Sequence, residues 1–275
     1  MSFLNDSGER LAGTITWPDA PGGGGAGAAA VAAPQSANPG PAFVILCHGY
    51  MSDSGSELLV RLAGALAREG LASLRFDFSG NGGSEGRFRY GGYRAEAEEI
   101  RAAREHLAAA HGGRVVGLLG HSKGATSAVM HAARHPGIPR LVNLAGRLDV
   151  RGGVERRLGG AVLRRLEEDG QVEMRGRSRA RGEFEWVLTR ADLEDRLSTD
   201  VGAAAASVPA ETRVLTVHGT DDADVPVSEA RKFAAAVASH ELLVLEGCDH
   251  RFSGPGPLLL MAPRVCEFFS EAAAA

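Results

Sequence analysis

The segment GHSKG (120–124) sets Ser122 between two glycines in the G-x-S-x-G spacing of a strand-to-helix nucleophile turn. A serine hydroxyl is a weak nucleophile until a base takes its proton and a carboxylate holds that base in one tautomer. In the topology that carries this turn the chain order is serine, acid, histidine, which restricts the base to His240 and His250. His240 precedes the apolar run ELLVLE (241–246) and so lies at its amino edge, whereas His250 follows it in GCDH, on the side of Ser122. The base is therefore His250. The acid should end the preceding apolar run, where RVLTVHGTDDADVP offers Asp221, Asp222 and Asp224, which spacing alone does not separate. The loop after FVILC (43–47) reads HGYMSDSGS, and the backbone N–H of Tyr50 there pairs with that of Lys123 as the expected oxyanion donors. Together these groups would perform acyl transfer.

Such residues meet only if the elements between them deliver strand ends to one edge of a sheet. Short apolar runs (FVILC, ASLRF, VVGLL, RLVNLA, RVLTVH, ELLVLE) alternate with amphipathic stretches such as ELLVRLAGALAREG and YRAEAEEIRAAREHLAAAHG. That alternation predicts an α/β fold with a parallel sheet covered on both faces. Residues 3–17 suit a short hairpin. The Gly-, Ala- and Pro-rich stretch 18–41 buries too little to offset chain entropy and is expected to be a disordered insert. The rhythm breaks again at 147–207. Val154, Leu158, Val162 and Leu166 predict one helix there, followed by an Arg-rich loop and then EFEWVLT. We expect a core made of 1–146 and 208–275 with an inserted cap at 147–207. Residues 147–181 hold ten arginines against six acids, read first as a solvated face and, more sharply, as an attraction for an anionic substrate or surface. Phe88, Tyr90, Tyr93 and Trp186 are candidates for an acyl pocket or for core and rim packing.

Composition narrows the class. A chain of 275 residues with a formal charge of −4 carries no electrostatic footprint for a polyanion, so a small solute is expected as partner and nucleic acid is not. Three cysteines without a CxxC pair suit a reducing compartment. The first residues lack an apolar leader segment, and no apolar run approaches the roughly 18 residues of a membrane span, so the expectation is a cytoplasmic protein. There is no HExxH and no P-loop, and neither metal nor cofactor is expected. RFDFSGNGGSEG follows a strand as a dinucleotide loop would, but Glu85 stands where the third glycine belongs. Asp77 is read there as a loop-organising carboxylate, and Cys47 and Cys248 as small buried fillers. Oligomeric state leaves no trace in the sequence.

Taken together, HGYMSDSGS, RFDFSGNGGSEG, GHSKG, HGTDDADVP and EGCDHRF occur in an order that resembles the α/β-hydrolase fold. Over Phe43 to Phe269 the chain is similar, more closely, to plant and bacterial serine esterases that include the cinnamoyl and feruloyl esterases. That resemblance implies a mostly parallel central sheet with helices on both faces and an inserted cap. Its acid motif, HGTxDxxVP, aligns the acid with Asp222. NLAGRLDV and LEDRLSTD resemble a plant subgroup, whereas the Gly/Ala stretch at 21–33 and Ala125, where a third glycine is common, depart from the pattern. The activity implied is hydrolysis of carboxylic esters, with anionic or aromatic ones among the candidates, through an acyl-enzyme with Ser122, His250 and Asp222. A thioesterase or peptidase would use the same groups, and a small-molecule receptor could retain the pocket with little turnover.

Overall fold

The computed structural model describes residues 1–19 and 40–274, so the expected insert at 18–41 falls, over 20–39, outside the described residues. Eight strands form one sheet: β1 (Ser2–Leu4), β2 (Arg10–Thr16), β3 (Ala42–Cys47), β4 (Ala72–Phe76), β5 (Arg114–His121), β6 (Arg140–Leu144) and, after a separate hairpin of β7 (Gln171–Ser178) and β8 (Gly182–Thr189), β9 (Arg213–Gly219) and β10 (His240–Leu245). Their order across the sheet is β1-β2-β4-β3-β5-β6-β9-β10. The first two strands form the predicted hairpin, and β2 also runs antiparallel to β4; the remaining pairs are parallel.

The central strands β3, β4, β5, β6 and β9 are largely apolar because both of their faces are covered, whereas the edge strand β10 leaves Leu242 and Val244 exposed. In β3, Phe43, Ile45 and Cys47 face one layer while Val44 and Leu46 face the other. The first layer is built from α2 (Tyr93–His111), α3 (Lys123–Arg134), α7 (Val201–Ala206) and α8 (Ser228–Ala236), through Ile100, Leu107, Val129, Val201 and Phe233. The second is α1 (Glu57–Arg68) and α9 (Pro255–Ala273), through Leu59, Leu62, Leu66, Val265 and Phe269. In α1 the buried Leu59, Leu62, Ala63 and Leu66 follow the i, i+3, i+4, i+7 rule, with Glu57 in the first turn and Arg68 in the last, as the helix dipole favours.

Parallel register brings the carboxyl ends of the strands level. Cys47 lies opposite Gly120, and Leu144 opposite both His121 and Val217. The loops after β3, β5, β9 and β10 consequently emerge on one edge.

Between β6 and β9 the chain leaves the sheet and forms α4 (Val154–Leu158), α5 (Gly160–Asp169), the hairpin, α6 (Arg190–Ser198) and then α7. Two sequence expectations change here. The stripe from Val154 to Leu166 is two helices, not one, broken at Gly159, whose φ of 78° and ψ of 150° suit glycine and end the first helix. The Arg-rich stretch is strand β7 rather than loop: Val172 is buried and Met174 half-buried, while Glu173, Arg175 and Arg177 point outward. A one-sided strand in a two-stranded hairpin shows its charged face, and that face masked the alternation. The excursion has its own core of Val154, Leu158, Leu166, Val172, Trp186 and Leu188, closed by Phe88 and Tyr90 from the loop after β4. Several contacts tie it to the rest of the chain, three of them through carboxylates of Asp192, Asp195 and Asp53. Arg87 pairs with Asp192 at 2.8 Å, the Gly92 N–H donates to Asp195 at 2.6 Å, and Arg179 pairs with the buried Asp53 at 2.5 Å. Among the described residues no helix is long and apolar enough to cross a membrane.

Candidate active site

At the carboxyl end of β5 the chain turns into α3 through Ser122, whose φ is 54° and ψ −117°. The two flanking glycines answer a steric demand. A Cβ on Gly120 would lie 2.4 Å from the Ala125 backbone, and one on Gly124 would lie 2.4 Å from the His48 carbonyl oxygen and 2.5 Å from that of Cys47. The turn is thus wedged against the end of β3, and the Ser122 N–H donates to the Leu144 carbonyl at 2.8 Å.

His250, in the loop after β10, reaches this turn. Its Nε2 lies 2.9 Å from Ser122 Oγ, and its Nδ1 lies 2.7 Å from Asp222 Oδ2. The three acids separate by geometry. Asp222 Oδ1 accepts the N–H groups of Asp224 and Val225 at 2.9 and 2.7 Å, which aims Oδ2 at the imidazole. Asp221 accepts from Thr220 Oγ1, and Asp224 faces Arg157 at 3.4 Å. His240 is held by Thr216 Oγ1 at 2.8 Å, at the amino end of β10. Burial raises the Asp222 carboxyl pKa, but hydrogen bonds from His218, His250 and the Val225 N–H outweigh it and hold the group well below the usual carboxylate range.

Two more buried histidines brace the loops. His121 donates from Nε2 to the His250 carbonyl at 2.8 Å and sits 5.1 Å from its ring; burial, then the neighbouring His250, pushes its pKa down to about 4. His48 donates from Nδ1 to the Gly49 carbonyl at 2.8 Å and accepts the Phe78 N–H on Nε2 at 3.1 Å, tying the loop after β3 to the loop after β4. Asp77 reinforces that tie by accepting the Ser54 and Gly83 N–H groups at 2.6 and 2.9 Å. Cys47 and Cys248 are buried thiols, and burial raises both pKa values.

Lys123 is the first residue of α3, so its N–H has no carbonyl one turn back to receive it. Its side chain runs inward to Glu96, with Nζ 2.5 Å from Oε1. Tyr50 lies in the loop after β3 and its ring meets those of Phe88 and Tyr90. Of the aromatic candidates, Phe88 and Trp186 are core residues of the excursion, while Tyr90 and Tyr93 line a cavity of about 50 Å³ above Ser122 and His250.

Sequence reasoning missed several residues of this region. His218 donates from Nε2 to the Val225 carbonyl at 2.8 Å and lies 3.2 Å from Asp222 Oδ2. Its place four residues before the acid in HGTDD was the available signal. Glu96 and Arg196 have no such local mark, since their partners lie far away in the chain. No group of three His, Cys, Asp or Glu side chains is arranged to hold a metal ion among the described residues.

Residues 39–254 match the family described as serine aminopeptidase, S33. Est1E from Butyrivibrio proteoclasticus, solved with ferulic acid bound, is 20% identical, covers 100% of each chain and superposes with a TM-score of 0.75. The Pyrococcus furiosus esterase Pf2001 is 19% identical, with 98% of this chain and 90% of that one covered and a TM-score of 0.65. An uncharacterized Saccharomyces cerevisiae protein, YDL057W, is 28% identical over 235 residues, 76% of this chain and 68% of its own.

Proposed function

This chain belongs to the serine aminopeptidase, S33, family and has the α/β-hydrolase fold, and on that footing we propose that it hydrolyses carboxylic esters through an acyl-enzyme. The observation that carries the reading is the continuous path from Ser122 Oγ through His250 to Asp222, with steps of 2.9 and 2.7 Å. Ser122 Oγ attacks the ester carbonyl as its proton passes to His250 Nε2, and Asp222 orients and stabilises the resulting imidazolium. The carbonyl oxygen becomes an oxyanion received by the N–H groups of Tyr50 and Lys123. His250 then returns the proton to the departing alcohol, and water repeats the cycle on the acyl-serine. Residues 147–207 act as a cap, their core standing over the cavity that holds Ser122.

Among the lining residues of that cavity, Arg147, Arg156, Arg157 and Arg196 outnumber a single carboxylate, Asp224. An aminopeptidase must seat a substrate ammonium, and four guanidinium groups oppose one. The ester reading is favoured for that reason.

Labelling with a fluorophosphonate and turnover of a simple activated ester test the proposal together. Ser122→Ala should lose both, with activity down on the order of 10⁵-fold, while its unfolding transition persists. Turnover that survives in Ser122→Ala would sink it.

A further inference from the structure

Three of the cations that line the cavity above Ser122, Arg147, Arg156 and Arg196, have no carboxylate within 4.0 Å among the described residues. Arg196, on α6, is 8% exposed, and among the described residues no carboxylate lies within 4.0 Å of it. Its Nη1 donates to the Tyr93 hydroxyl, its guanidinium carbon sits 4.7 Å from the centre of the Tyr90 ring, and its Nε is buried without a hydrogen-bond partner. The Tyr90 hydroxyl is likewise buried and unpartnered, in a residue 1% exposed. Arg147 is half-buried and donates only to the main-chain carbonyl of Asp224, and Arg156 donates to the carbonyls of Ala223 and Asp224. The single carboxylate of the lining, on Asp224, faces Arg157 instead.

A buried guanidinium without a counter-charge is unfavourable, and an idle buried hydroxyl beside it adds to the penalty. Both are relieved at once by a planar anion that accepts from Arg196 Nε and from the Tyr90 hydroxyl. A carboxylate has that shape and charge, and guanidinium forks are matched to it. The cavity that would hold it is the one that contains Ser122 and His250, so the anion belongs to the molecule being cleaved. Burial lowers the pKa of Arg147, and the nearby Glu229 carboxylate only partly opposes that shift.

Resting on the ester-hydrolase reading, we propose that the substrate is a carboxylate-bearing ester and that Arg196 and Tyr90 are the specificity-determining residues that seat its carboxylate. Both groups act in binding and take no part in the proton transfers at Ser122.

Two esters decide the matter. The para-nitrophenyl esters of succinate and butyrate share a leaving group and differ by a terminal carboxylate against a methyl. The native chain should favour the hemisuccinate by about tenfold or more in kcat/KM. Arg196→Met should remove most of that ratio, Arg196→Lys should restore part of it, and Tyr90→Phe should reduce it by a smaller factor. A native ratio at or below one, or a ratio unchanged in folded Arg196→Met, overturns the proposal.

Calorimetric titration of the Ser122→Ala variant with monomethyl and dimethyl succinate reads the same site without turnover and without disturbing Arg196. Tighter binding of the monoanion is expected, and equal binding or none of either overturns the anion site. If neither nitrophenyl ester is cleaved, the hydrolase reading fails and the titration alone judges the carboxylate site. If both are cleaved alike and the titration shows no preference, the hydrolase reading stands and the carboxylate site falls.

Discussion

Lys123 Nζ lies 2.5 Å from Glu96 Oε1, each side chain less than a tenth exposed, so the residue directly after Ser122 is moored by its own side chain to α2. Glu96 Oε2 also accepts from Ser127 Oγ at 2.6 Å, one turn further along α3. The pair fixes the start of α3, where the Lys123 N–H is proposed as an oxyanion donor.

Breaking one side of this pair leaves the other charge buried alone. Glu96→Ala should therefore lower unfolding stability by about 3 kcal/mol, whereas the double variant Glu96→Leu with Lys123→Met should be more stable than either single change. Chemical denaturation of the four proteins checks the order; additive losses would show that the ions act independently.

Gly124→Ala forces a methyl group onto two carbonyl oxygens at the end of β3. The turn must yield, and the N–H groups of Tyr50 and Lys123, proposed above as the oxyanion donors, should be displaced from each other. We expect kcat to fall about a hundredfold, the scale of one lost oxyanion donor, with KM changed far less. Steady-state kinetics on a short activated ester reads this directly.

His218 is one of the donors that keep Asp222 ionised. His218→Ala removes it, so the Asp222 carboxyl pKa should rise toward the usual carboxylate range and its aim at His250 should loosen, with kcat at neutral pH reduced by about tenfold and KM changed far less. Steady-state kinetics that match the native chain would show that the remaining bonds suffice.

Glu99, also on α2, accepts the Ser79 N–H at 3.0 Å, and burial pushes its pKa up to about 7 from 4.5. Its folded form therefore holds a proton that the unfolded chain releases. Stability is favoured at low pH and declines as pH rises from 4.5 to 7, by about 3 kcal/mol if the whole shift is expressed. Glu99→Gln should flatten that decline and be the more stable protein above pH 7, which denaturation at a series of pH values would reveal.

The legible parts of this molecule were those in which sequence neighbours do the work. GHSKG reads clearly because both glycines answer contacts made within one strand, one turn and the adjacent strand end. The apolar runs read clearly because strands covered on both sides have no polar face to confuse them. Choosing His250 over His240 needed only the direction of β10. Asp222 was less legible: its neighbours Asp221 and Asp224 are equally placed in sequence, and only the N–H groups of Asp224 and Val225 distinguish its orientation. The segment between β6 and β9 was the least legible, because an exposed hairpin alternates charge with modest apolar residues and a single glycine splits an otherwise continuous helical stripe. Arg196 was silent altogether. Its surroundings come from Tyr90 and Tyr93, about a hundred residues earlier, which no local pattern announces.

The backbone of Ser122 implies a conflict between durability and turnover. Dihedrals of 54° and −117° are ones a side-chain-bearing residue rarely accepts, at a penalty of about 1–3 kcal/mol that glycine largely avoids. Ser122→Gly should then melt at a higher temperature than the native chain while being inert toward esters. Selection for persistence alone would discard this serine, so its retention would reflect the reaction it performs.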